Sequence, residues 1–139
     1  MDAPLQSTLQ VVNVVSSAVA ALTALILIIP VYRRSSTDAA RWFIALLMCA
    51  AWVNTLYVFE ALAGADLEAY VSLSKIEYIG LAFTPMCWLG FAFVFNDPER
   101  ALSQRTIALL AIIPVVTFSL ALTNDYHGLI WAVPRFSHH

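Results

Sequence analysis

The chain has 139 residues, 61% of them hydrophobic and 12% charged, with a net charge of −2 and a mean hydropathy of +0.80. Soluble globular domains are about half apolar and a quarter charged, so this composition describes an integral membrane protein. With no basic stripe to neutralise phosphates, nucleic acid is excluded as a partner.

The N-terminal stretch MDAPLQSTLQ lacks the basic segment of a secretory signal, so the first apolar run is predicted to be a retained span. That run covers Leu9 to Tyr32 and ends at Pro30 and the pair Arg33, Arg34. Asn13, Ser16 and Ser17 in its first half suit close helix packing. In the linker that follows, Thr37 or Asp38 is placed to cap the next helix by accepting from free backbone N–H groups.

The second run is Trp42 to Leu62, with Trp42 at its start as an interface anchor. Asn54, Tyr57 and Glu60 follow at spacings of three and share a face. The short turn AGAD makes the next helix an antiparallel neighbour. This third run, Leu67 to Phe95, is the organising element: at about 1.5 Å rise per residue it crosses a core of roughly 30 Å with length to spare. Lys75 and Glu77 then fall inside its outer part, where ionisable groups are costly and usually functional. Lys75 and Tyr78 share one face, and Glu77, Leu81, Thr84 and Trp88 another. Pro85, between Gly80 and Gly90, removes a backbone hydrogen bond and is a candidate hinge.

The linker NDPERALSQR leads to the fourth and shortest run, Thr106 to Leu122, with Pro114 inside it. Beyond it lies the polar, aromatic segment containing Asn124, His127 and Trp131, the last an expected interface anchor. Cys49 and Cys87 lie inside apolar runs without metal-ligand spacing and are read as small packing residues.

The expected fold is all-α, a bundle of four transmembrane helices (about 9–32, 42–62, 67–95 and 106–122) forming one domain. Arg33, Arg34, Arg41, Arg100 and Arg105 gather on one side, which is therefore cytoplasmic, placing both termini outside. On that topology Tyr57, Glu60, Lys75, Glu77, Tyr78, Asn124 and His127 occupy the outer half of the bundle. They are the candidate sensing residues; the competing reading is an ion pair, for example Glu60 or Glu77 with Lys75, that only positions the helices. No phosphate loop, zincin histidine pair or nucleophile elbow is present in the sequence, so no catalytic residue, metal or cofactor is predicted. A retinal Schiff base would need only a buried lysine such as Lys75, and nothing else supports one.

The string KIEYIGLAFTPMCWLGFAF, preceded by AAWVNTLYVFEAL and followed by LALTNDYHGLIW, resembles the N-terminal seven-helix sensor region of bacterial and archaeal membrane histidine kinases. The matching positions are Trp52, Lys75, Glu77, Tyr78, Gly80, Pro85, Asn124, His127 and Trp131, and the likeness covers Ala39 to Trp131. The resemblance implies a sensory input module in the cell membrane, without enzymatic activity of its own. Three further spans and cytoplasmic modules, such as a PAS domain and a histidine kinase or diguanylate cyclase, would normally follow. The partners so implied are the lipid bilayer, an undefined stimulus and the parent's cytoplasmic domains, and a homodimer is compatible with them. A proton-coupled carrier using Glu60, Lys75 and Glu77, or a structural membrane subunit, are the competing readings. A carrier would be expected to show inverted repeats, and none is evident.

Overall fold

The computed structural model describes residues 3–64, 67–97, 102–128 and 130. Arg100 and Trp131, both considered from sequence, lie outside these residues. The described chain is helical: α1 (Ala3–Arg34), α2 (Asp38–Ala63), α3 (Leu67–Asn96), α4 (Gln104–Leu122) and the single turn α5 (Asn124–His127). α1 to α4 are each long and apolar enough to cross a membrane. α1 begins six residues earlier than the Leu9 edge predicted for it, because its polar first turns continue the helix into what would be headgroup or water.

Local chemistry sets the helix ends. Thr37, in extended conformation, accepts at Oγ1 from the Ala40 amide and so satisfies one orphan donor of α2. Asp38 instead pairs with Arg41 at 3.0 Å, one turn on. Ser103 caps α4 in the same way as Thr37, accepting from the Thr106 amide at 3.2 Å. α2 closes on Gly64 at φ +63°, a left-handed value open to glycine, and the chain reverses there toward α3.

The helices stand in a row in chain order, α2 packed between α1 and α3, and α4 on the far side of α3. No close backbone approach joins α1 to α3 or α2 to α4 among the described residues. An open row cannot bury large side chains, and the buried apolar residues are accordingly small: Ala21, Ala24, Ala51, Ala82 and Cys87 among them. Exposed Leu, Ile or Val side chains occur on every span. This suits lipid, because helices in a bilayer associate through small residues and close packing, with no hydrophobic drive to hide leucine.

The closest association is the antiparallel α2–α3 pair. A Cβ on Gly90 would fall 2.5 Å from the ring of Trp42, and one on Gly80 would fall 2.9 Å from Trp52 Cδ1 and 2.7 Å from Val53 Cγ2. Each glycine is therefore a hole filled by an α2 tryptophan, so Trp42 packs against a helix as well as standing at a span end. Phe43 and Phe91 extend the contact, with ring centroids 5.5 Å apart. Gly90→Leu should therefore cost about 1–3 kcal/mol through overpacking, measured by unfolding of the chain in mixed micelles. Substituting exposed Phe95 by leucine should leave unfolding near wild type.

Candidate functional site

The ionisable candidates separate by helix rotation. Glu60 stands on the last turn of α2, three residues before its end, and is 6% exposed. Glu77, ten residues into α3, is half-buried and a near neighbour of Glu60. Oε1 of Glu60 is buried and has no hydrogen-bond partner. Lys75 precedes Glu77 by two residues, about 200° around the helix, so the two side chains leave α3 on different sides.

Depth follows from helix geometry. A core of about 30 Å takes about 20 residues of helix, and counting back from Asn96 at the polar end of α3 reaches Glu77. The carboxyl pair therefore sits at the boundary of the apolar layer, beside the α2–α3 turn. Tyr57 lies one turn before Glu60 and is partly buried, as are Lys75 and Tyr78 on α3.

Trp52 locks this end of the hairpin. Its Nε1–H donates to the backbone carbonyl of Ile76 at 3.0 Å, one residue before Glu77. Asn54, grouped from sequence with Tyr57 and Glu60, turns its amide to its own helix and donates to Ala50 O at 2.8 Å.

Asn124 and His127 stand at the exit of α4. Asn124 is 1% exposed, and its Oδ1 accepts the Ile130 amide at 2.8 Å, folding the segment after α4 back on itself. His127 Nε2 lies 3.0 Å from Thr123 Oγ1, one turn away, while Tyr126 between them is exposed. Together these bonds organise the exit of α4.

Toward the opposite end of the α2–α3 pair, Cys49 and Cys87 are free thiols 3.9 Å apart at Sγ. They form the floor of an apolar groove of about 420 Å³ walled by Met48, Trp52 and Phe83. No group of three or more His, Cys, Asp or Glu side chains is placed to hold a metal ion among the described residues. Pro85 lies inside a continuous α3, where it leaves the Leu81 carbonyl without its helical donor. One turn back, Thr84 Oγ1 donates to Gly80 O at 2.7 Å.

The nearness of Glu77 to Glu60 is the site feature that spacing along single helices missed. Its signal was the i, i+3 step from Glu77 to Gly80, which puts the carboxyl on the face that α2 must approach.

The family model described as the N-terminal 7TM region of histidine kinase matches residues 16–139. The chain belongs to that family. No curated protein and no solved structure matches it. The four long apolar helices correspond to four of the seven spans in the family's description, and they make this sensor region a multi-pass membrane protein. Histidine-kinase membership also implies cytoplasmic signalling domains in the parent protein, the region itself being sensory and not catalytic.

The Trp52 bond to Ile76 sets the closed end of this sensor hairpin. Trp52→Phe keeps most of the ring and removes the donor, and should cost about 0.6 kcal/mol, the mean for polar bonds between membrane helices. Unfolding in mixed micelles tests this, with Trp88→Phe as the control at an exposed position on α3.

Proposed function

We propose that this sensor region perceives its stimulus at the polar cluster around Glu60 and Glu77, on the outer side of the cell membrane with the N-terminus outside. The observation that carries the reading is the buried carboxyl of Glu60, near Glu77 at the edge of the apolar layer, with one oxygen unsatisfied. Buried ionisable groups in membrane spans are expensive and mark pathways or ligand contacts. A stimulus that interacts differently with two packings of α2 on α3 shifts their populations. Lys75, Tyr57 and Tyr78 border the same end of the hairpin. Asn124 and His127 act there by fixing how the chain leaves α4. Pro85 is the point where α3 yields as the change passes to the inner half and on to the parent's cytoplasmic domains.

In the intact parent kinase, Glu77→Ala and Lys75→Ala should each reduce the response of autophosphorylation to external conditions, at normal expression and membrane insertion. Leu109→Ala, on the exposed face of α4, should leave it unchanged. Responses unaltered in both polar variants would defeat the reading.

A further inference from the structure

We propose that Cys49 and Cys87 are a redox pair, which a lipid-soluble quinone oxidises to a disulfide joining α2 to α3. The two thiols belong to neighbouring helices, and their sulfurs stand 3.9 Å apart. A disulfide holds its sulfurs about 2.0 Å apart, so each has about 1 Å to travel. The helices keep them aligned for it. Cys49 lies between Trp42 and Trp52 on α2, Cys87 lies between Gly80 and Gly90 on α3, and both tryptophans are seated on their glycines. At Gly80 the two backbones come so close that a Cβ would fall 3.2 Å from the carbonyl oxygen of Cys49. Such an approach suits the short Cα separation that a disulfide demands.

The surroundings select the oxidant. The thiols floor an apolar groove whose walls include Met48 and Trp52, both exposed, so the way in is from the lipid side. Thiols in apolar surroundings stay protonated and react poorly with oxidants that need a thiolate. The reagent must therefore be apolar and must bring its own proton acceptors. A quinone does both: it partitions into the bilayer, and its two carbonyl oxygens take up the protons. Quinones are also the oxidant that keeps protein thiols oxidised in the bacterial periplasm. In the reaction both S–H bonds break and one S–S bond forms. The two electrons and two protons released reduce the quinone to a hydroquinone. Zinc, another common fate of facing thiols, wants four ligands, and no third His, Cys, Asp or Glu joins the pair among the described residues. The reaction stands whether or not the stimulus is perceived at the polar end of the hairpin.

The test treats the chain in lipid nanodiscs with a fully ring-substituted benzoquinone bearing a decyl tail, which offers no free ring carbon for a thiol to add to. Free thiols are then read by maleimide labelling in denaturant. The chain holds two cysteines, so wild type should lose both labels and regain them on reduction with dithiothreitol. It should run as a monomer on a denaturing gel without reductant, and its mass should fall by two hydrogens. Tetrathionate, a charged oxidant confined to water, should leave both thiols free. In C49S and in C87S, each altered by a single atom, the remaining thiol should keep its label under quinone. Both labels surviving quinone in wild type would overturn the proposal. So would a cross-linked dimer, a quinone adduct in the mass, equal oxidation by tetrathionate, or loss of label in either single variant.

Discussion

The structure depends on how closely α2 can approach α3. In lipid no hydrophobic force drives one apolar helix against another, so association rests on shape. α3 offers two holes, Gly80 and Gly90, and α2 offers two tryptophans, Trp52 and Trp42, at the same separation of ten residues and in antiparallel order. Both must engage at once, which fixes the sliding register and the rotation of the pair. Rotating either helix by one residue, about 100°, would move the indoles off the glycines and take Glu60 away from Glu77. The seating of two tryptophans on two glycines along the span thus determines which side chains meet at its edge.

The energies of these interactions differ enough to say which of them sets the state of the hairpin. Polar bonds between membrane helices average about 0.6 kcal/mol, the scale expected for Trp52 on Ile76. Two unit charges about 4 Å apart interact by about 4 kcal/mol at an effective dielectric of about 20. Two ionised carboxylates at such a separation would therefore outweigh the neighbouring hydrogen bond. The glycine–tryptophan contact at Gly90 lies at the other end of the pair.

Composition alone made the spans legible, because few other structures accommodate so many apolar residues with so few charges. Thr37 as the cap of α2 was also readable, since its hydroxyl needs only the local chain to find a donor. The lateral arrangement was not readable. Depth can be counted along a helix, which puts Tyr57, Glu60, Lys75 and Glu77 near one end of the α2–α3 pair, but rotation about the helix axis cannot be counted without knowing the neighbour. Opposite charges at similar depth left an ion pair with Lys75 open as the purely structural reading. Asn124 and His127 were grouped with these residues by height, and their bonds to Ile130 and Thr123 lie at the exit of α4. The row arrangement was equally hidden, because helices that are apolar all round carry no stripe to say which side meets protein and which meets lipid.

Pro85 lies between Gly80 and Gly90, five residues from each, on the stretch of α3 that joins the two glycine–tryptophan contacts. A regular helix resists bending through every backbone hydrogen bond it would stretch. At Pro85 one of those bonds does not exist, and the Leu81 carbonyl facing the gap is already unbonded by its own helix. Any bend of α3 between the two contacts would therefore concentrate there at the least cost.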